Sequence, residues 1–294
     1  MIVFKKLLKY LLLLTCVLTI SFVLYIEYLK WSFDSKSLPE NHGQVKAELF
    51  LGDGQQQALI VGFGGSEGGN AWASDYWKEQ RDRFLEQGYA ILTIGYFGME
   101  GTPSKLDRIS LDAIHAVIQE TVQHAKINKD CVALMGGSKG AELALSLASY
   151  FDSYSSAIAF VPGHSIFASL TDAMVTSSFS LNQEPLDFVP VKWNAAPALI
   201  KGDLRGAFEK MLEDKEAVER ARINIENIKG SILLLSATQD EMWPSSEMSE
   251  EMIQTLSEND FPYEYKHIAI KGNHAAPLEH FDKVESFLKK NFCN

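Results

Sequence analysis

Two patterns of apolar residues alternate along the chain after residue 45. Runs that are almost entirely apolar, such as ALIVGF, AILTIG, CVALM and SILLLSA, predict buried strands. Between them lie segments whose apolar residues recur every three or four positions, which predicts amphipathic helices. This alternation indicates an α/β fold, in which helices cover both faces of a mainly parallel sheet.

The same pattern predicts the individual elements. The stretch VKAELFLGDGQQQALIVGFGG, residues 45–65, predicts a hairpin about the turn at residues 52–54. Helices are predicted over 76–88, 245–256 and 278–292, and from Ser110 as an N-cap to about residue 125. Further strands are predicted over 89–98, 156–161, 231–237 and 263–270.

One long segment breaks the alternation. Residues 163–230, called the insertion below, are irregular and rich in prolines and aromatic residues, with one charged helix. A segment of this length between two strands is predicted to form a cap over the ligand-binding edge of the sheet.

The N-terminus carries a second long apolar segment. Lys5, Lys6 and Lys9 precede seventeen uncharged residues, from Tyr10 to Ile26. A helix of that length is about 25 Å long, slightly short for a bilayer core of about 30 Å. We interpret residues 1–30 as an uncleaved membrane anchor before a domain at 31–294; a signal peptide is the alternative, although no small-x-small cleavage site follows. The N-terminal lysines favour a cytoplasmic N-terminus and an extracytoplasmic domain.

Charge and cysteine content exclude several classes of protein. The chain has 27 Lys and Arg against 38 Asp and Glu, without a basic stripe, so nucleic acid is not an expected partner. Cys16, Cys131 and Cys293 are too few and too scattered for a disulfide framework or a zinc site. We expect Cys16 and Cys131 to be inert, and nothing in the sequence implies a metal, a cofactor or a particular oligomeric state.

The stretch LMGGSKGAEL, residues 134–143, indicates catalysis. Gly136, Ser138 and Gly140 fit G-x-S-x-G, in which a serine on a strained strand-to-helix turn exposes its hydroxyl as a nucleophile. Side chains two residues before and after the serine would clash. The alternative is a glycine-rich connection with a bystander serine, so the choice depends on partners elsewhere in the chain.

A serine nucleophile needs a base, normally histidine, which a carboxylate orients. In the α/β-hydrolase order serine, acid, histidine, Asp240 follows the strand SILLLSA and His274 follows the last strand. The competing acid is Glu241, and the competing histidines are His267 and His280. His164 is left open as either a pocket residue or an anchor of the insertion.

Donors for the developing oxyanion are expected from two places. One is the backbone amide of Lys139, whose side chain we expect to point towards the insertion or solvent. The other is the loop GFGGSEGGN, residues 62–70, near Gly65 and Ser66. A phosphate-binding loop is the alternative, but the Gly-Lys-Ser/Thr of a P-loop is missing.

These motifs together resemble a known family. GFGGSEGG, YAILTIGYFGMEGTPSKLDRISLDAI, LMGGSKGAELALSLASYF, QDEMW and GNH resemble the C-terminal catalytic domain of the acyl-CoA thioesterase / bile acid-CoA:amino acid N-acyltransferase family, over residues 59–292. The resemblance implies a Ser138–Asp240–His274 triad that cleaves an acyl thioester. The N-acyltransferase branch is less similar, because its nucleophile is cysteine. The N-terminal β-sandwich of that family has no counterpart in residues 1–58.

The sequence therefore predicts a membrane-anchored serine hydrolase acting on a small-molecule acyl ester or thioester. A carboxylesterase or peptidase with the same triad is the second interpretation. A non-enzymatic, hydrolase-like binding protein on a membrane is the third.

Overall fold

The computed structural model describes residues 2–293, with side chains from residue 4 onward. The strands are β1 (Lys46–Phe50), β2 (Gln57–Phe63), β3 (Ala90–Gly95), β4 (Ile109–Ser110), β5 (Ile127–Gly137), β6 (Ser156–Phe160), β7 (Phe179–Leu181), β8 (Glu184–Pro185), β9 (Ser231–Ala237) and β10 (Tyr265–Ile270). The α-helices are α1 (Ile2–Ser32), α2 (Lys78–Glu86), α3 (Leu111–Thr121), α4 (Lys139–Tyr150), α5 (Ala196–Ile200), α6 (Leu204–Met211), α7 (Lys215–Arg220), α8 (Ser245–Glu258) and α9 (Phe281–Asn291).

Seven strands form the main sheet in the order β1-β3-β2-β5-β6-β9-β10. The edge strand β1 is antiparallel to β3, and all other neighbouring strands of this sheet are parallel. Strands β4, β7 and β8 form a small second sheet. The prediction of a mainly parallel α/β sheet is confirmed.

The predicted hairpin is wrong, because β3 lies between β1 and β2. Every residue of β3 is buried, whereas β1 is exposed over its first three residues. A fully apolar strand is favoured at a position covered on both faces, and the more polar strand takes the edge.

Helices cover both faces of the main sheet, as predicted. One apolar core contains residues of α3, α4 and α8, and a second core on the opposite face contains residues of α2 and α9. Helix α4 is buried from Lys139 to Ala148, which makes it the central helix of its layer.

Most predicted elements are present with shifted ends. Strand β9 matches its prediction residue for residue, and Ser110 caps α3 by accepting a hydrogen bond from the Ala113 N–H at 3.1 Å. The last helix begins at Phe281 rather than at residue 278, because a 3₁₀ turn over Ala276–Glu279 comes first. His280 is consequently the N-cap of α9 and not an interior residue.

The insertion contains β7, β8 and α5 to α7. It has its own apolar cluster, in which Phe167, Val189 and Met211 pack with Trp243 and Met248 from the segment after β9. The insertion is therefore attached to the main domain next to the end of β9.

Helix α1 stands apart from the hydrophobic core. The most apolar 18-residue stretch within its residues 4–32 has a mean hydropathy of 2.3, and none of that stretch is buried inside the structure. By length and composition the helix is able to cross a membrane, a test that an N-terminal signal sequence also meets.

The structure corrects the expectation that Cys131 is inert. Cys131, on β5, forms a disulfide with Cys293 after α9, across 162 positions of sequence. The number and the spacing of the cysteines argued against a disulfide framework. The sequence does not show that the end of the chain lies next to β5 in the folded protein. Cys16 is a free, exposed thiol.

Candidate active site

Ser138 lies between the end of β5 and the start of α4, in a strained backbone conformation. Its φ and ψ are 54° and −119°, a positive φ that is rare for a residue other than glycine. A Cβ at Gly136 would lie 2.1 Å from the Gly140 oxygen, and a Cβ at Gly140 would lie 2.3 Å from the Gly64 oxygen. The expectation that both flanking positions require glycine is confirmed.

The predicted acid and base meet at the carboxyl-terminal edge of the sheet. Asp240 follows β9 and His274 follows the neighbouring strand β10, so their loops emerge side by side. His274 Nδ1 lies 2.8 Å from Asp240 Oδ1. This contact leaves the other imidazole nitrogen, Nε2, as the one available for a proton transfer.

Asp240 is held in place from several directions. The Ser245 hydroxyl donates to Oδ2 at 2.6 Å, and the Met242 and Trp243 amides donate to Oδ1 at 3.0 and 3.2 Å. Burial alone would raise the pKa of Asp240, but the hydrogen bonds from His274 and Ser245 outweigh it and lower that pKa below its ordinary value. The carboxylate therefore stays ionised at neutral pH. Sequence reasoning missed Ser245, although its place five residues after the acid was visible.

The competing residues have other partners. Glu241 Oε2 accepts the backbone N–H of His274 at 2.9 Å, so it fixes the loop rather than the imidazole. His267 Nε2 lies 2.6 Å from the Ser236 hydroxyl, between two adjacent strands. His164 is buried, with Nε2 3.1 Å from Glu251 on α8, which favours its reading as an anchor.

Ser138 and His274 line one cavity of about 170 Å³. Among the described residues no hydrogen bond joins the Ser138 hydroxyl to His274. In proteins without bound substrate such contacts are often long and shorten in the complex. The other lining side chains are largely apolar: Phe63, Ala71, Trp72, Trp77, Val161, Met242 and Leu278.

The glycine-rich loop after β2 forms the opposite wall of this cavity, to which Gly65 and Ser66 both contribute. The Tyr96 hydroxyl donates to the Gly64 oxygen at 2.7 Å, which fixes the loop from below. The Lys139 amide is the first of α4, and first-turn amides have no acceptor within their helix.

Sequence reasoning missed Glu67, which also lines the cavity. Its Oε1 accepts the N–H of Gly65 at 2.9 Å. The Gly65 N–H, one of the donors expected to stabilise an oxyanion, thus already donates to a carboxylate. The carboxylate between two glycine pairs in GGSEGG was the available signal.

The expectation that the Lys139 side chain points to the insertion or solvent needs correction. Lys139 Nζ lies 2.7 and 2.8 Å from the two carboxylate oxygens of Glu142, and both side chains are buried. Glu142 Oε1 also accepts the Phe167 N–H, which belongs to the insertion. The lysine approaches the insertion but is closed off from water, because α4 is buried almost all round.

No group of three or more His, Cys, Asp and Glu residues within residues 2–293 is arranged to hold a metal ion.

A family model described as BAAT / Acyl-CoA thioester hydrolase C terminal matches residues 113–275. This is more than half of the chain, and it includes Ser138, Asp240 and His274. The chain belongs to this family. The resemblance noted in the sequence motifs is thereby confirmed.

Two proteins with sequences similar to this chain bear the same name in two species. Acyl-coenzyme A thioesterase 6 of Mus musculus is 28% identical over 215 residues, which cover 71% of this chain and 46% of the relative. Acyl-coenzyme A thioesterase 6 of Homo sapiens is 32% identical over 114 residues, which cover 38% of this chain and 25% of the relative. The chain thus spans less than half the length of each.

Solved structures show the fold alone. A puromycin-hydrolyzing peptidase of Mycobacterium tuberculosis superposes with a TM-score of 0.59 at 17% identity, covering 84% of this chain and 38% of that one. The acylaminoacyl peptidase of Pyrococcus horikoshii superposes with a TM-score of 0.58 at 14% identity, over 84% and 40% of the two chains. The fold is that of an α/β-hydrolase.

Proposed function

We propose that the chain is a serine hydrolase that cleaves an acyl thioester or ester. The observation that carries the proposal is the strained Ser138 in one cavity with His274, whose Nδ1 lies 2.8 Å from Asp240. A strained serine, a histidine and a buried carboxylate in this order are the parts that acyl transfer through serine requires.

The reaction proceeds in two halves. His274 Nε2 takes the proton of the Ser138 hydroxyl as Oγ attacks the acyl carbonyl carbon, and Asp240 stabilises the imidazolium through Nδ1. The tetrahedral intermediate collapses as His274 gives that proton to the leaving thiol or alcohol, which leaves an acyl-serine. Water, activated by His274, then releases the carboxylic acid and restores Ser138.

The oxyanion is assigned to backbone donors. The Lys139 amide begins α4 directly after Ser138, and Gly65 and Ser66 line the same cavity as Ser138. Removing one such donor costs about 2.7–4 kcal/mol of barrier stabilisation in known cases. The Gly65 N–H becomes a donor to substrate only when Glu67 releases it.

A thioester is the first choice of substrate. Family membership and the names of both thioesterase relatives favour it. The apolar cavity walls, which include Trp72 and Leu278, suit an acyl chain rather than a charged group. An ester or amide bond is the second choice, because the same three side chains serve each of these reactions.

The test is a matched set of substrates with one acyl group. Purified protein is assayed with the acyl-CoA, the acyl-pantetheine, the p-nitrophenyl ester and the amide of the same acid. We expect thioester turnover to exceed amide turnover, and Ser138→Ala and His274→Ala each to lower kcat by about 10⁴–10⁶. Circular dichroism of both variants serves as the folding control.

Two outcomes would contradict the proposal. Near wild-type turnover by folded Ser138→Ala would remove the nucleophile. Failure of a serine-reactive fluorophosphonate to label the wild-type protein, with no turnover of any substrate, would favour the non-enzymatic interpretation.

The flanking segments complete the proposal. The insertion acts as a cap, since its cluster contacts Trp243, whose ring centre lies 6.1 Å from that of His274.

Helix α1 acts as a membrane anchor with the domain outside the cytoplasm. The Cys131–Cys293 disulfide supports this side, because disulfides persist mainly in oxidising compartments.

A C-terminal fusion tests the topology. A reporter active only outside the cytoplasm is joined after residue 294 and compared with a reporter active only inside it. An active inside reporter would reverse the orientation, and release of the intact protein by salt washing would remove the anchor.

A further inference from the structure

A second and larger cavity, of about 420 Å³, lies between α1 and the insertion. It shares no lining residue with the Ser138 cavity. Phe22 and Ile26 line it from α1, and apolar side chains of the insertion form most of the remaining wall: Met174, Val191, Leu199 and Ile200. An occupant must therefore be apolar.

The cavity crosses the level at which a bilayer would end. The uncharged stretch of α1 stops at Ile26, and Glu27 and Lys30 are the first charged residues after it. Phe22 and Ile26 thus belong to the membrane-embedded part of α1, while Lys30, another lining residue, belongs to the aqueous side. The part of the cavity that Phe22 and Ile26 line consequently opens at the depth of lipid acyl chains.

The insertion is held at that level by α1. Trp193 Nε1 donates to Glu27 Oε1 at 3.2 Å, and Lys30 Nζ lies 4.8 Å above the Trp193 ring. Tryptophan is typical of membrane interfaces. These contacts place the insertion against the last turns of the membrane helix.

The linker after α1 is also held, by a buried arginine. Arg108 is 2% exposed, and its guanidinium donates to the backbone oxygens of Ser35 and Ser37 at 3.0 and 2.9 Å. The arginine thereby attaches the linker that directly follows α1 to the domain.

Exposed apolar side chains surround the cavity. Ile200 is 69% exposed, Trp193 44% and Met174 38%. In water this surface would be unfavourable, but next to a membrane helix it continues the apolar surface of α1.

We propose that this cavity binds an acyl chain of a membrane phospholipid. The inference rests on the anchor part of the proposed function and is independent of the catalytic part. The nearby cations already have partners, since Lys30 pairs with Glu27 and Lys192 with Asp214. The lipid is therefore recognised by its chain, with little preference for an anionic headgroup.

The experiment uses the full chain in vesicles of phosphatidylcholine that carries a diazirine on one acyl chain. After irradiation, labelled peptides are mapped by mass spectrometry. We expect label on residues 172–174 and 191–200 as well as on α1. Replacing the labelled lipid by a phosphatidylserine with the same chain should leave the pattern unchanged.

A filled cavity provides the matched comparison. Ala196→Trp places an indole in the cavity and should lower labelling of the insertion several-fold while labelling of α1 stays constant. Tyr263→Trp adds an indole at an exposed site outside the cavity and should label like the wild type. Circular dichroism and thermal unfolding report whether both variants are folded, independently of any catalytic activity.

Three results would overturn the inference. Label confined to α1, or equal labelling in Ala196→Trp, would show that the cavity holds no acyl chain although the anchor is in place. Absence of the wild-type protein from vesicle pellets would remove the anchor and this site together. Ser138→Ala labels like the wild type under this proposal, so loss of the hydrolase assignment leaves the lipid site standing.

Discussion

Lys139 and Glu142 form a closed ion pair one turn into the helix that follows Ser138. Nζ lies 2.7 and 2.8 Å from the two carboxylate oxygens, and the side chains are 5% and 0% exposed. Burial lowers the pKa of Lys139 and raises that of Glu142, and their mutual attraction opposes both shifts. Glu142 also binds the Phe167 N–H, so the pair connects α4 to the insertion.

Breaking this pair is expected to destabilise the fold. Glu142→Gln leaves the Lys139 ammonium buried without a carboxylate, which typically costs about 3–5 kcal/mol in the free energy of unfolding. The double variant Lys139→Met/Glu142→Gln keeps an acceptor for the Phe167 N–H and removes both charges. It should recover most of the loss, as measured by urea denaturation.

An exposed pair with the same spacing is the control. Lys210 and Glu213 are 49% and 56% exposed, and Glu213→Gln should leave the urea midpoint unchanged.

Catalytic activity of the folded double variant Lys139→Met/Glu142→Gln should stay within about tenfold of wild type, about 1.4 kcal/mol in the barrier, because residue 139 keeps its amide. Complete loss of activity in a folded double variant would point to a side-chain role in catalysis.

The acid of the site gives a pH-dependent prediction. The pKa of Asp240 lies below 3.8 in the folded protein, so the folded state binds fewer protons there than the unfolded state. The stabilising contribution of the carboxylate is therefore complete well above pH 3.8 and is lost as pH falls through the folded pKa. The difference in unfolding free energy between wild type and Asp240→Asn should shrink as pH falls from about 5 to below 3.8.

Kinetics of the same variant check the role of Asp240. Asp240→Asn should lower kcat by about 10⁴, because an amide favours the wrong tautomer of the histidine. A stability difference that grew on acidification would contradict the assigned direction of the pKa shift.

Local features of the site could be predicted from the sequence. The turn around Ser138 depends on residues two positions away, so Gly136 and Gly140 indicated it directly. The loops that carry Asp240 and His274 follow apolar strands, and parallel strands bring such loops to one edge.

Features that depend on distant contacts could not be predicted in the same way. Strand β3 lies between β1 and β2 because the more apolar strand takes the buried position. The sequence of β1 and β2 alone resembles a hairpin and does not show that β3 comes between them. Cys131 and Cys293 are 162 positions apart. Lys139 and Glu142 have the spacing of an ordinary surface pair, and only the apolar residues around α4 indicated that they are buried.

The disulfide is expected to contribute to stability. Cys293→Ser should lower the free energy of unfolding by about 2–5 kcal/mol under non-reducing conditions, since the bond closes a long loop. Cys16→Ser changes a free thiol on α1 and should have no effect. Equal unfolding curves for wild type and Cys293→Ser, without reductant, would show that the bond does not form.

Glu67 provides the last prediction, because its carboxylate holds the Gly65 N–H at 2.9 Å within the cavity of Ser138. A substrate oxygen must displace it to receive that donor, and a hydrogen bond to a charged acceptor contributes about 1.5–3 kcal/mol. Glu67→Ala should therefore raise kcat/KM for a neutral p-nitrophenyl ester by about threefold to tenfold, about 0.7–1.4 kcal/mol in the barrier. Glu67→Gln retains a neutral acceptor and should fall between Glu67→Ala and wild type. Steady-state kinetics of the three proteins decide the matter: a fall in kcat/KM for both variants would assign Glu67 to support of the loop, and the Ser66 amide would then replace that of Gly65 as the oxyanion donor.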